Sequence, residues 1–265
     1  MLIDTHLHLD FQHYNDDRHQ VVAQAVEAGV NQMITIGTSL ETSRRAVELA
    51  ETFEPVWAAV GIHPNDATEW NAEAPAILRE LAEHPKVVAI GEIGLDYYWK
   101  RVPNEVQQQV FEEQLALAAD LGLPVIIHDR EAHEHIMATL RRWVSTLTKD
   151  APRGVLHFFS GDLAMAQEAI DLGFYLGTDG PVTFKKARAL QQVVAALPLE
   201  RLLVETDAPF LAPHPHRGRR NEPAYVRYVA AKVAELHGIT IDEVAKQTTA
   251  NARQLFGLGY QEINQ

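Results

Sequence analysis

The sequence predicts a single (β/α)8 barrel with its chemistry gathered at the C-terminal ends of the strands, and three observations carry that reading. Eight short apolar runs alternate with amphipathic helical patterns along the chain. Histidines and carboxylates fall just past the ends of many of those runs. They do so after the first run and again after the last, and those two strands are neighbours in a closed barrel but need not be in an open, doubly wound sheet.

Taken in order, Leu2-Ile3 is a short buried strand ending at Asp4. Asp17 opens a helical pattern in which Val21, Val22, Ala25 and Val26 share a face, and Gly29 stops it. Asn31 to Ile36 is the second strand, after which Thr38 or Ser39 can cap a helix over Ser43 to Thr52. Val56 to Val60 is the third strand and Ala72 to Glu83 the next helix. Val87 to Ile90 is the fourth strand, closed by Gly91-Glu92. A long helix starts at Asn104, runs through Val110, Leu115, Leu117 and Leu121, and ends at Gly122. Pro124 to Ile127 is the fifth strand and delivers His128, with a helix over Glu131 to Val144 behind it. Gly154 to Leu156 is the sixth and delivers His157, followed by a helix from Asp162 to Leu172. Phe174 to Leu176 is the seventh, and a helix from Lys185 to Ala196 leads to the eighth, Arg201 to Val204. Pro223 to Leu236 and Ile241 to Leu255 are helical, the latter started by a Thr240–Glu243 capping box. No linker or repeat divides the chain, so residues 1–265 are expected to form one domain.

Composition narrows the function. The chain has no cysteine, which excludes disulfides, thiolate metal sites and a cysteine nucleophile. A formal charge of -13 argues against a broad nucleic-acid-binding face, though not against an enzyme that acts on a phosphodiester end in a locally positive cleft. No secretory signal or membrane span is legible, so a cytoplasmic protein without membrane contact or obligate protein partner is expected.

The histidines are more informative. In Asp4-Thr5-His6-Leu7-His8, strand periodicity turns His6 and His8 to one side, where two imidazoles can converge on a divalent ion. Alone, the pair is read equally well as two exposed or core histidines. Glu92, His128, His157 and Asp207 change the balance, because each follows an apolar strand. Five strand ends supplying metal-ligand types are hard to accommodate as core, since buried histidines and carboxylates need partners. Such an inventory suits two divalent ions with Glu92 as the bridge. Ligand type favours Zn, Mn, Co or Fe over Ca and leaves Mg open. Glu205 shares the side-chain parity of Asp207 and can either orient a ligand or water or close the barrel through a salt bridge. Asp4 and Asp10 carry the same ambiguity.

The chain resembles the TatD family of metal-dependent deoxyribonucleases, within the wider amidohydrolase-like metal barrels. The matching segments are DTHLHLD (Asp4 to Asp10), GIHP (Gly61 to Pro64), IGEIGLDYY (Ile90 to Tyr98), IIHDREA (Ile126 to Ala132), HFFSG (His157 to Gly161), ETDAPFLAP (Glu205 to Pro213) and RNEP (Arg220 to Pro223). They span nearly the whole chain. The resemblance implies that His6, His8, Glu92 and Asp207 hold one ion and that Glu92, His128 and His157 hold the other, with His63 facing the substrate phosphate. Lys86 lies at the wrong end of its strand to serve as the bridging lysine of the wider group. Asn65 replaces a histidine usual in the family and Phe158 a cysteine, departures that bear on substrate contacts more than on metal loading.

These readings imply hydrolysis by a metal-activated water, with Asp207 as ligand and base. Arg130 and Arg220 are the candidate phosphate-gripping guanidiniums, whereas Arg217 and Arg219 fit a solvated loop. Asp96 is expected to fix an arginine or a substrate atom. Tyr97, Tyr98 and Trp99 can rim the cleft and stack on a terminal base, or pack against the next helix. Trp57 and Trp143 are read as core. The substrate expected first is the end of single-stranded DNA or a small phosphodiester. A small amide, lactone or ester uses the same metals, and a non-catalytic metal scaffold is a third reading.

Overall fold

The computed structural model describes residues 1–259; the last residues of the predicted domain, 260–265, lie outside the described residues. Eight parallel strands follow one another around a single sheet in chain order. They are β1 (Leu2–Leu7), β2 (Val30–Ile36), β3 (Val56–Val60), β4 (Val87–Asp96), β5 (Val125–Arg130), β6 (Gly154–Leu156), β7 (Tyr175–Thr178) and β8 (Leu202–Val204). Seven helices connect them: α1 (Arg18–Glu27), α2 (Leu40–Thr52), α3 (Ala74–Ala82), α4 (Asn104–Leu121), α5 (His133–Thr146), α6 (Leu163–Asp171) and α7 (Arg188–Ala196). Two more, α8 (Val226–His237) and α9 (Ile241–Phe256), follow β8.

The seam between β8 and β1 closes through polar chemistry more than through a ladder. One parallel bridge joins Leu7 to Ala208, and Asp207 N donates to His6 O at 2.9 Å. Asp4 Oδ1 accepts Thr206 N at 3.0 Å and its Oδ2 accepts Thr206 Oγ1 at 2.6 Å. That resolves the ambiguity at Asp4 in favour of a barrel fastener. The predicted capping box at Thr240–Glu243 is present, and Gly122 ends α4 at φ +67°.

The barrel interior holds Ile3, Ile34, Ile36, Ala59, Val88, Ala89, Ile126, Val155, Tyr175 and Leu203, one or two from each strand. Leu255, Phe256 and Leu258 join the same cluster, so the end of α9 lies across the barrel floor. Lys86 also sits at that end. Its ammonium donates to the carbonyls of Ala50, Phe53, Glu54 and Val56 at 2.7–3.2 Å, tying the end of α2 to the start of β3. Trp143 is buried and donates to Leu115 O, whereas Trp57 is only partly buried.

Four strands run past their predicted apolar ends, β5 to Arg130 and β7 to Thr178 by two or three residues and β1 and β4 by more. β1 continues past Asp4 to Leu7, and β4 continues past Ile90 to Asp96 with every residue buried. A polar residue ordinarily marks a strand's exit into water. Here the polar residues enter a packed mouth where other side chains satisfy them, so hydrophobicity underestimates the strand. No helix among the described residues is long and apolar enough to cross a membrane.

Candidate metal centre

His6, His8, Glu92, His128, His157 and Asp207, drawn from β1, β4, β5, β6 and β8 or the turns just after them, meet around one carboxylate. Glu92 is 3% exposed and its two oxygens face different partners. Oε2 lies 3.4 Å from His6 Nε2 and 4.0 Å from His8 Nε2. Oε1 lies 2.7 Å from His128 Nδ1, 3.5 Å from His157 Nε2 and 3.9 Å from His63 Nε2. Asp207 completes the first side, with Oδ1 3.4 Å from His8 Nε2 and 3.8 Å from His6 Nε2. Donor atoms that each bind one ion at roughly 2.0–2.2 Å stand about 3–4 Å apart, which is the spacing seen on the Oε2 side. The division of partners between two oxygens is the arrangement of a bridging carboxylate.

The donor set fits a pair of divalent cations. Both ring nitrogens of fully buried His6 lack any hydrogen-bond partner. A buried imidazole left so is costly, and a divalent cation held by this group would supply the missing partner. His6 also stacks on His157, ring centroids 3.5 Å apart and ring planes nearly parallel. Among the described residues, ligand atoms converge in three groups: His6–His8–Glu92, His63–Glu92–His128 and His6–His157–Glu205. In the third, Glu205 is already committed, because its Oε1 accepts Phe158 N at 2.7 Å and lies 3.1 Å from His157 Nδ1. A carboxylate that accepts a hydrogen bond from Nδ1–H leaves the Nε2 lone pair free to face Glu92. Only glycine permits this: a Cβ on Gly177 of β7 would lie 2.4 Å from Glu205 Oε1.

The electrostatics describe a site poised between protons and cations. Burial opposes charge on Glu92, but His157, His128 and His6 outweigh it and hold the carboxylate well below its usual range. Burial likewise lowers His8, yet Asp207 and Glu92 lift it to about 9. His128 also rises to about 9, because hydrogen bonds to Asp96 and Glu92 overcome its desolvation. His63 goes the other way, to about 3, through burial and the neighbouring His128.

His63 is therefore neutral, and its Nδ1 accepts Asn65 N at 3.0 Å. The proton must then sit on Nε2. Although it falls within a ligand grouping, His63 presents an N–H toward Glu92 and the mouth, a donor suited to a substrate oxygen.

The substrate-facing candidates divide sharply. Arg130 is exposed and its side chain makes no hydrogen bond or ion pair among the described residues; its guanidinium rests 4.1 Å from the Tyr98 ring and 5.4 Å from that of Trp99. Arg220 is corrected from phosphate ligand to structural tie. NH1 donates to His13 O and Asp17 Oδ1, NH2 to Asp17 Oδ2 and Glu222 Oε1, all at 2.6–2.9 Å. With its terminal nitrogens engaged by two carboxylates, it has no fork left for a phosphate. Asp96 departs from one of its two expected roles. It fixes no arginine: Oδ2 faces His128 Nε2 at 3.3 Å and accepts Asn65 Nδ2 at 3.1 Å, while Oδ1 accepts Tyr98 N and Trp99 N at 3.0 and 2.9 Å. It is a buried anchor behind His128, held near β5 by Gly94 (φ +144°), whose Cβ would collide with His128 O at 2.0 Å. Tyr98 and Trp99 are about half exposed, whereas Tyr97 packs against His135.

Three residues escape the sequence reading. Buried Asn221 donates from Nδ2 to Thr206 O and Phe210 O at 2.7 and 2.6 Å, and Tyr14 donates to Asn221 O at 2.6 Å. Together with Arg220 they strap the loop that carries Asp207, itself at φ +53°, a conformation an L-residue holds only when its surroundings impose it. Asp179, 1% exposed, directly follows β7 and leaves Oδ2 without a partner. The same strand-end rule that singled out Glu92 and His128 would have found it.

Known proteins place this barrel among relatives. The chain is 44% identical to the uncharacterised metal-dependent hydrolase YabD of Bacillus subtilis, over 97% of this chain and 99% of that one. It is 38% identical to the 3'-5' ssDNA/RNA exonuclease TatD of Klebsiella pneumoniae, covering 97% and 98% of the two chains. The crystal structure of YJJV, a TatD homologue from Escherichia coli, superposes with a TM-score of 0.90 at 36% identity, over 97% of this chain and 98% of that one. The model of the TatD related DNase family matches residues 3–257, and with a mouth that gathers histidines and carboxylates around Glu92, this chain belongs to the TatD family of metal-dependent hydrolases.

Proposed function

We propose that this chain, acting as a single barrel domain, hydrolyses phosphodiester bonds at the ends of single-stranded DNA. The observation that carries the reading is the pair of unpartnered nitrogens on fully buried His6 beside a carboxylate whose two oxygens face separate histidines. His6, His8, Glu92 and Asp207 would hold one divalent ion, and Glu92, His128 and His157 the other. Two such ions, drawn from Zn, Mn, Mg or Co, supply an acidified water and charge neutralisation on the phosphoryl oxygens.

The chain's own residues do the rest. Asp207, which His8 keeps ionised against the pull of burial, accepts the proton of the attacking water. Glu205 holds the His157 ring in the tautomer that faces Glu92. His63 offers Nε2–H to a non-bridging phosphoryl oxygen, and Arg130 swings a free guanidinium toward the same phosphate. An uncommitted arginine beside His128 favours a phosphate substrate over a neutral amide, lactone or ester. A centre whose ligand side chains are largely buried is reached by a strand end more readily than by an intact duplex. We place this activity in the cytoplasm.

The test is to strip the protein of metal, reload it with each ion in turn, and assay single-stranded DNA beside a panel of small phosphodiesters, amides and lactones. Release of mononucleotides from one labelled end, dependent on metal, is the expected result. Turnover of an amide with no cleavage of any DNA would reverse the assignment.

A further inference from the structure

Aromatic rings stand on both sides of the metal centre. On the β1–β8 side, Phe11 stacks on His8 with centroids 5.1 Å apart, and Phe210 meets Phe11 edge-to-face at 5.5 Å and His8 at 6.1 Å. On the β4–β5 side, Tyr98 and Trp99 are pinned through their backbone N–H groups to Asp96, the residue behind His128. In an eight-stranded barrel β1 and β5 lie on opposite walls, and His8 and His128 face opposite oxygens of Glu92. Phe210 is 41% exposed, Tyr98 48% and Trp99 50%. Large rings left in water beside a polar centre are poor packing but good platforms. Arg130 lies over Tyr98, adding positive charge to that shelf.

Resting on the phosphodiesterase reading above, we propose that these two aromatic pairs form a base clamp that grips a single strand on either side of the scissile phosphate. One base lies against Phe11 and Phe210, and the base across the bond lies on Tyr98 and Trp99. The protein's charge of -13 disfavours a substrate held by its phosphates alone, so the bases must contribute to affinity. Stacking needs an exposed base face, which a single strand offers and a duplex hides. It also tolerates every base, because each has a π face. The clamp therefore selects strandedness without selecting sequence.

The test measures binding of the metal-loaded protein to a fluorescent, hydrolysis-resistant phosphorothioate pentathymidylate, and to the same pentamer with abasic residues, by anisotropy. Phe210→Ala and Trp99→Ala are each expected to weaken binding of the thymidine oligomer about tenfold and to leave the abasic oligomer unchanged. Phe210→Leu keeps bulk and solubility while removing the ring, and should behave as the alanine variant does. Unaltered binding in the variants, or equal loss on the abasic oligomer, overturns the clamp. Turnover of an ordinary oligonucleotide by the parent protein is scored separately. Ring-dependent binding without turnover sinks the hydrolysis reading and keeps the clamp; turnover with ring-independent binding does the reverse.

Discussion

Arg130 at the end of β5 and Arg220 in the loop after β8 belong to the same residue type, stand in matching family motifs and flank the same mouth, yet the fold uses them in opposite ways. The β5 arginine's guanidinium lies over aromatic faces and forms no hydrogen bond or ion pair among the described residues, and the β8-loop arginine is closed on both terminal nitrogens by carboxylates and a carbonyl. The difference teaches that a cation's availability depends on what surrounds it. A guanidinium whose donors are already matched holds a loop; one whose donors are free can hold a ligand.

The largest effect should come from the residue that the Arg220 strap carries. Asp207→Asn is expected to lower kcat by about 10²–10⁴ at saturating metal while DNA binding stays within a few-fold. Steady-state kinetics beside equilibrium binding check this, and parallel loss of both would remove Asp207 from the chemical step.

The contrast itself is sharpened by truncating each arginine. Arg220→Ala should lower stability by about 1–3 kcal/mol, through a network that is only partly shielded from water, and reduce kcat as the Asp207 loop loosens. Urea denaturation and kinetics read the two together. Arg130→Ala should leave the urea midpoint unchanged and raise KM for a phosphodiester about tenfold, the scale of one charge-assisted hydrogen bond. If Arg130→Ala destabilises the fold, or Arg220→Ala changes only KM, the division between the two loops is wrong.

A smaller effect extends the same distinction to the histidines. His8 and His128, at about 9 in the metal-free protein, are raised from an unfolded value near 6.5. Their contribution to the stability of the metal-free form is full below about pH 6.5 and is lost as pH rises through about 9. Metal must displace those protons, so its apparent affinity should fall as pH drops below about 9. Titration calorimetry in buffers of different ionisation enthalpy should show proton release at pH 7 that fades by pH 9.5. An affinity that does not vary with pH would argue that these imidazoles are not ligands.

Much of this could be read from the chain. Alternating apolar runs and helical patterns gave eight strands and their order, because hydrophobic periodicity is a local property that tertiary contacts reinforce. The same logic found His6, His8, Glu92, His128, His157 and Asp207, since a polar side chain at the end of a buried strand has few places to go. It missed Asp179 only because β7 was read as ending at Leu176, short of the true strand end at Thr178. Asn221 and Tyr14 gave no such signal, since their partners lie 15 and 207 residues away in sequence.

The chain by itself determined the barrel and the kinds of atoms available at its mouth, because both follow from the order of apolar and polar residues. Only the tertiary structure decided how those atoms are shared: that Glu92 divides its oxygens between two groups of histidines, that Glu205 fixes His157, and that Arg220 is bound to Asp17 while Arg130 is free. The physical reason is that hydrogen-bond donors and acceptors saturate. Which partner claims each one is settled by distance in the folded molecule, a quantity that sequence separation does not encode.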